Sequence, residues 1–405
     1  MKLPVVIALI LSCIIVLPNK SEAAQPIRIG VCFPMDMAEN DVGLVGLVGA
    51  LTKVEVINDA GGVNGRLIEA VVLRPDNSPS AVQECIRELV ETHGVGSILV
   101  LTSILFADEV KNALDDLDPE KRPLCVFPLS IDMGIERLSP YFIRILQDSG
   151  YQAEILAEYM SALNHKTLAI IYDNRFSILR TMGQSLAVHF RARGGDIVSS
   201  QPYSFGVFSG DEDFTAILDE VKSRSPDIIA VLGYPEEVAQ IIYQSGTIGL
   251  ATRLCGGTSW NSEVVFTGSG QNLDGCFFLG SFLPEDLTPR IEEFVSEVQK
   301  TGIDYPGNEI AASYDAVGLL AFLAGKTEDD SGSALLAEFH RSASEYEMVT
   351  GYMTLQPNTT RFIKDINIYE IEMIELIPSR KLRQSINARK WLDAKKRQGT
   401  NYLEE

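Results

Sequence analysis

The stretch "VINDAGGVNGRLIEAVVLRPDNSPSAV", Val56 to Val82, contains the pattern that decides the fold. The glycines at 61 and 62 suit the left-handed backbone that ends a helix, and the Asn64-Gly65 pair is typical of a turn into a strand. After the apolar segment "RLIEAVVL", the Ser78-Pro79 pair suits the cap and the first position of a new helix. The stretch therefore predicts a helix, a turn, a strand and a second helix in succession.

The same alternation of strand and helix patterns runs through most of the chain. Apolar segments such as "PIRIGVCF", "SILVL" and "LCVF" alternate with helix patterns, and the order begins again at "TLAIIYD" and "DIIAVLG". This alternation is typical of parallel sheets with helices on both faces, and 405 residues are enough for two cores. We expect an α/β fold of two Rossmann-like, doubly wound parallel-sheet lobes.

The segments that follow the second lobe are expected to complete both lobes. They comprise helix patterns at 289–301 and 308–323 and the strand patterns "GYMTL" and "DINIYEIEMIEL". The chain would then cross between the lobes more than once, through a hinge of several crossovers. Because ligands of open α/β sheets bind beyond the carboxyl ends of the strands, two facing lobes form a cleft that can close.

The balance of charge argues against nucleic acid as a partner. The chain has 34 Lys and Arg against 55 Asp and Glu, a formal net charge of −21. An acidic surface of this strength repels phosphate backbones.

The N-terminus "MKLPVVIALILSCIIVLPNKSEAAQ" has the organisation of a secretory signal peptide. Lys2 precedes an apolar run from Val5 to Leu17, and Ser21-Glu22-Ala23 is suited to cleavage after Ala23. A membrane anchor is the alternative, but the run is shorter than the roughly 20 residues that span a bilayer. Lipid anchoring at Cys13 is not expected, because the apolar run continues past it. We therefore predict a periplasmic protein without residues 1–23.

Five cysteines remain after that cleavage: Cys32, Cys85, Cys125, Cys255 and Cys276. An odd number leaves at least one thiol unpaired in an oxidising compartment. Cys255 and Cys276 lie on successive strand patterns and are candidates for a disulfide. The alternative is that all five are small buried apolar residues.

No pattern of catalytic residues is found in the sequence. The four histidines are scattered without metal-ligand spacing, and "GLVGLVG" at Gly43 to Gly49 fails the GxGxxG pattern and belongs to a helix. We expect neither an enzyme nor a metal or cofactor site.

Several segments in combination resemble the type I periplasmic solute-binding proteins of the branched-chain amino acid group. They are "INDAGGVNGR", "FIRILQDSGYQAEILAEYM", "TLAIIYDN", "DIIAVLGYPEEVAQIIYQSGTIGL" and "NEIAASYDAVGLL", and the resemblance extends to about Glu375. It implies a monomer that captures an amino acid or a related carboxylate or amide and delivers it to an ABC permease. The alternative is a sensing subunit that docks on a membrane receptor or sensor kinase. We expect 24–147 with 284–350 in lobe 1, and 148–283 with 351–377 in lobe 2.

The resemblance also implies which residues contact the ligand in the first lobe. In this family serine and threonine hydroxyls and helix N-termini hold the α-carboxylate. By position, these are Ser103 in "LVLTSILFA" and Ser130 in "FPLSID". The alternative for either serine is that it caps its own helix.

The second lobe is implied to supply aromatic side chains. The matching positions are Phe176 in "YDNRFS" and Tyr234 in "LGYPEE". Phe176 lies about one residue away from the family's tyrosine, so Ser177 is an alternative equivalent. Packing in the core is the other interpretation of both aromatic residues.

The clearest departure from the family is at "CGGTSWN", where amino-acid-binding members have an acid at the position of Thr258. A buried ammonium without an anion is costly, so this substitution argues against an α-amino acid unless another acid replaces it. Asp148 is a candidate for that acid, with capping at the hinge as its alternative. Trp260 is expected either to stack on the ligand or to lie in the core.

The segment after Pro378, "SRKLRQSINARKWLDAKKRQGTNYLEE", concentrates basic residues on an acidic protein. A solvated helix against the acidic body is the expected structure of this C-terminal tail, 378–405. Docking on anionic lipid or on a partner is the alternative. We expect ligand affinity to be independent of the tail.

Overall fold

The computed structural model describes residues 25–34, 42–102, 106–204, 212–286, 288–355, 360–375 and 377–398. The predicted signal peptide, 1–23, lies outside these residues. Within them the fold has two lobes, each built on its own sheet.

The first lobe has a sheet of five parallel strands over the described residues, in the order β2-β1-β3-β4-β5. The strands are β1 (Ile27–Cys32), β2 (Ile68–Leu73), β3 (Ser97–Val100), β4 (Leu124–Phe127) and β5 (Phe142–Arg144). The helices between them are α1 (Val42–Asp59), α2 (Pro79–Glu91), α3 (Ala107–Asp116) and α4 (Ile135–Leu138). The glycine turn after α1 is confirmed, because Gly61 and Gly62 have φ of +96° and +79°. Ser78 caps α2 by accepting from the Ala81 N–H at 3.4 Å.

The second lobe has seven strands in the described residues, in the order β14-β13-β10-β9-β8-β6-β7. They are β6 (Thr167–Asp173), β7 (Asp196–Tyr203), β8 (Ile228–Leu232), β9 (Leu254–Gly256), β10 (Phe277–Gly280), β13 (Ile366–Ile374) and β14 (Ile377–Ile386). β13 and β14 run antiparallel at one edge, while the other strands are parallel. The helices are α5 (Ser149–Ala162), α6 (Ser177–Ala192), α7 (Thr215–Ser223), α8 (Pro235–Thr247) and α9 (Glu263–Gly268).

Three helices return to the first lobe after β10. They are α10 (Pro289–Gln299), α11 (Asn308–Ala324) and α12 (Gly332–Ser342). The glycines of "GLVGLVG" allow α1 to approach α11 closely, since a Cβ added at Gly49 would lie 2.1 Å from the Ile310 carbonyl oxygen. This contact fixes the beginning of α11, which faces the second lobe.

The chain crosses between the lobes three times in the described residues, at 145–148, 281–286 and 360–365. This agrees with the expected hinge of several crossovers. Near the third crossing, the buried carboxylate of Asp315 accepts from the backbone N–H groups of Val349 and Thr350, at 2.8 and 2.9 Å. The Lys364 ammonium donates to the Thr350 hydroxyl. Burial lowers the pKa of Lys364 to about 8, although the negative charge of Asp315 opposes this shift.

The return to the second lobe comes later than position 351. β11 (Met353–Leu355) and β12 (Phe362–Lys364) form a separate antiparallel pair, in which Met353 and Phe362 pack in the first core. In this segment, Ile363 is the first residue that packs in the core of the second lobe. Its side chain lies on the face opposite to that of Phe362, because side chains alternate along a strand.

The candidate disulfide between Cys255 and Cys276 is absent, and all five described cysteines are free and buried. Cys255 is paired with Phe277 across β9 and β10, so Cys276 is one residue out of register. The two thiols therefore pack in different cores, on opposite faces of the sheet.

The basic C-terminal segment agrees only in part with the expected solvated helix against the acidic body. Its first part is β14, the edge strand of the second sheet, and only α13 (Ala388–Arg397) is helical. Trp391 packs edge-to-face on Tyr151, with ring centroids 4.9 Å apart, and its indole N–H donates to Glu158 at 3.1 Å. Lys395 donates to Glu154 at 2.6 Å and to Glu158 at 2.5 Å. The segment is thus part of the second lobe.

Truncating Trp391 to alanine tests this docking. We expect Trp391→Ala to lower the free energy of unfolding by about 3 kcal/mol, because it removes a buried ring and leaves a cavity. Arg389→Ala, at an exposed position of the same helix, should change it by no more than about 0.5 kcal/mol. Urea denaturation followed by circular dichroism measures both, and equal values for the two variants would show that α13 is not docked.

Candidate functional site

A cavity of about 110 Å³ lies between the two lobes. The first lobe contributes residues that follow β4 and β5 and the first turn of α11. The second lobe contributes residues that follow β8 and β9 and the first turns of α5 and α6. The cavity therefore lies beyond the carboxyl ends of strands from both sheets, where open α/β folds bind ligands.

Most of the cavity wall is aliphatic. Seven aliphatic side chains from both lobes line it: Leu129, Ile131, Leu146, Ile178, Leu179, Met182 and Leu232. The polar lining residues are Gln152, Tyr234, Thr258, Ser259, Asn308 and Glu309. An apolar wall with few polar groups is typical of a site that binds the apolar body of a small solute and orients its polar end.

Thr258 lines the cavity, but its polar groups are already bonded within the protein. Its backbone N–H and its hydroxyl donate to Gln152 Oε1, at 3.1 and 3.2 Å. Its carbonyl oxygen accepts from Asn308 Nδ2 at 2.7 Å, a bond that joins the second lobe to the first. Where the resemblance implies an acid, this protein therefore has a neutral residue whose polar groups are bonded within the protein.

Glu309 is the one lining residue with a formal charge among those the structure describes. It lies in the first turn of α11, directly after Asn308. Burial raises the pKa of its carboxyl group, and the negative charge of Glu236 raises it further. Sequence reasoning missed this residue, because an acid in the first turn of a helix is commonly explained by the helix dipole alone.

Tyr234 also lines the cavity, and Phe176 supports it from behind. The two rings pack edge-to-face with centroids 5.0 Å apart, but Phe176 is not among the described lining residues. Ser177, its alternative, is exposed at the start of α6.

A buried ionic cluster lies next to the two aromatic rings. Arg175 forms an ion pair with Asp173 at 2.6 Å and a second with Glu237, and its guanidinium lies 5.5 Å from the ring of Phe176. These two carboxylates raise the pKa of Arg175, against the effect of burial. Its positive charge is thus neutralised within the second lobe.

The remaining predicted residues do not come together at the cavity. Ser130 is fully buried and accepts from the Asp132 N–H at 3.1 Å, so it closes a local turn. Asp148 caps α5 by accepting from the Tyr151 N–H at 2.7 Å and lies 3.7 Å from Arg144, which agrees with the hinge-capping alternative. Ser103 lies outside the described residues.

Trp260 lies in the core of the second lobe. It is fully buried, and its indole N–H donates to the Val231 carbonyl at 3.1 Å. Of its two expected roles, the structure shows core packing.

A family model described as a periplasmic binding protein matches residues 26–375. The chain belongs to the periplasmic binding protein family. This confirms the predicted family. Its members are solute-binding proteins and not enzymes, and they function outside the cytoplasm with ABC transporters. No helix in the described part of the chain is long and apolar enough to cross a membrane.

Relatives of this periplasmic binding protein cover most of its length. The Leu/Ile/Val-binding protein homolog 3 of Brucella melitensis is 26% identical over 349 residues, which cover 82% of this chain and 88% of the relative. A substrate-binding protein of a branched-chain amino acid transporter from Streptococcus pneumoniae, in complex with isoleucine, has a TM-score of 0.72 at 20% identity, covering 89% of this chain and 99% of that one. A solute-binding protein from Rhodopseudomonas palustris, in complex with 3,4-dihydroxybenzoic acid, has a TM-score of 0.77 at 17% identity. The match covers 90% of this chain and 98% of that one. These likenesses confirm the two-lobed α/β fold.

Replacing the Thr258 hydroxyl tests its bond to Gln152. We expect Thr258→Val to lower the free energy of unfolding by about 1 kcal/mol, the net contribution of a typical buried hydrogen bond. Thr267→Val is the matched control, since that hydroxyl donates to the Glu263 carbonyl at an exposed position of α9. It should cost no more than about 0.5 kcal/mol in the same urea titration. Equal costs would mean that the bond to Gln152 contributes nothing.

Proposed function

We propose that this periplasmic binding protein captures a small solute with an apolar body and a polar head in the interlobe cavity and delivers it to an ABC permease. The observation that carries the proposal is the lining of the cavity. Its aliphatic wall comes from both lobes, whereas its polar residues come mainly from the first turn of α11 and the loop after β9. A solute that fits both would contact both lobes at once.

Contact with both lobes is what couples capture to delivery. The three crossovers allow the lobes to rotate about a hinge, and a solute bound by both stabilises the closed arrangement relative to the open one. A permease can then distinguish the loaded protein from the empty one by the relative position of its lobes.

The class of solute follows from the wall and from the relatives. The aliphatic lining suits a branched or straight hydrocarbon body, because burying apolar surface is favourable at roughly 25 cal/mol per Å². Relatives are named for leucine, isoleucine and valine, and a protein of the same fold holds isoleucine. We propose aliphatic amino acids as the first ligand class, and the corresponding acids and amides as the second.

A thermal-shift panel tests this function on the purified protein. The panel contains aliphatic amino acids, the matching carboxylic acids and amides, and aromatic acids. A bound solute at a hundred times its Kd should add about 2.7 kcal/mol to the free energy of unfolding and raise the Tm.

A pair of tryptophan variants on α6 assigns the shift to the cavity. Leu179→Trp places a larger side chain in the cavity wall and should abolish the shift, whereas Val188→Trp, on an exposed part of the same helix, should retain it. Circular dichroism checks that both variants fold. A shift that survives Leu179→Trp, or a wild-type protein that responds to no compound, would contradict the proposal.

A further inference from the structure

The cavity has one charged group and no charged partner for it among the described lining residues. Glu309 comes from the first lobe, and the described lining contains no lysine or arginine. Arg175, beside the rings of Phe176 and Tyr234, is paired with Asp173 and Glu237. Glu309 is half-buried, and a partly desolvated carboxylate without a cation is unfavourable, so the cavity is electrostatically prepared for a positive or hydrogen-bond-donating group.

The position of Glu309 relates it to the missing acid. Asn308 donates to the carbonyl oxygen of Thr258 at 2.7 Å, and Glu309 is the next residue along α11. Both Glu309 and Thr258 line the same cavity. Glu309 of the first lobe thus directly follows a residue that bonds to Thr258 of the second lobe, the position where the resemblance implies an acid.

The alternative acid, Asp148, is occupied elsewhere. Its carboxylate caps α5 and faces Arg144 at the first crossover, and it is not among the described lining residues. Thr258 itself donates its hydroxyl to Gln152. Within the described residues, Glu309 is therefore the acid placed to receive the polar end of a solute.

We propose that Glu309 is the specificity-determining residue that accepts the ammonium group of the solute, so that the cavity selects an aliphatic amine-bearing solute over the same molecule without the amine. The inference rests on the proposed function and names the part of the solute that the first lobe recognises. An amine-free analogue would bury Glu309 without a partner, and the cost of an unsatisfied buried charge or donor predicts a preference of about 10- to 100-fold.

The partial burial of Glu309 is consistent with this role. Desolvation and the nearby charge of Glu236 both raise the pKa of its carboxyl group, and a ligand cation would relieve both effects. The neutral hydrogen bonds of Thr258 and Gln152 next to it do not compete for that cation.

Isothermal titration of leucine and of 4-methylpentanoic acid, which has the same hydrocarbon body without the amine, tests the assignment. The wild type should bind leucine about 10-fold or more tightly than the acid. Glu309→Gln should weaken leucine binding by a similar factor. Its affinity for 4-methylpentanoic acid should be unchanged or higher, so that the preference for leucine disappears. Glu309→Asp keeps the charge and should retain a preference for leucine, which separates loss of charge from loss of fold.

Glu292→Gln is the matched control, because Glu292 is an exposed acid in the first turn of α10. It removes a charge from a similar place in a helix and should keep the full preference. Leucine binding to Glu309→Gln as tight as to the wild type would overturn the assignment. So would tightest wild-type binding by an amine-free compound, although the proposed function would then stand. A wild type that binds no compound of the panel would overturn the proposed function and, with it, the role of Glu309.

Discussion

The fully buried side chain of Gln147 ties the three crossovers together, and the arrangement of the two lobes depends on it. Its amide nitrogen donates to the Asp365 carbonyl of the third crossover at 2.8 Å. Its amide oxygen accepts from the Ser281 hydroxyl of the second at 3.1 Å. Gln147 itself belongs to the first crossover, at 145–148. Three chain segments that are far apart in sequence therefore meet at one neutral, hydrogen-bonded amide, which satisfies a buried polar group without the desolvation cost of a charge.

The same amide network extends to the cavity. The backbone carbonyl of Gln147 accepts from the Gln152 side chain at 2.9 Å, and Gln152 in turn accepts from Thr258. Asn308 then connects Thr258 to the first lobe. The hinge and the floor of the cavity are thus one continuous hydrogen-bonded path. The polar groups of the hinge and those of the cavity lining are therefore bonded to one another.

A second group of contacts anchors the first crossover. Arg144 is almost fully buried, forms an ion pair with Glu136 and donates to the Leu146 carbonyl at 2.9 Å. Its guanidinium also lies 4.8 Å from the ring of Phe362 near the third crossover. The charges of the hinge are paired inside the protein, whereas the charge in the cavity, at Glu309, has no cation among the described lining residues. This contrast distinguishes the paired charges of the hinge from the charge that lines the cavity.

The sequence by itself determined the local elements and the fold class. Glycines that need positive φ, a Ser-Pro helix start and the alternation of apolar strands with helices act over a few residues, so "NDAGGVNGR" and "TLAIIYD" predicted their structures directly. Tertiary structure alone decided which side chains meet in the cavity and where the basic segment goes. Ser130 and Asp148 were assigned by position, yet each bonds to its own turn or helix. Glu309 was missed because most residues that share its cavity lie far away in the sequence, and such contacts leave no local pattern. β14 was missed because this exposed edge strand, paired with the adjacent β13, carries mostly charged and polar residues in place of an apolar strand pattern.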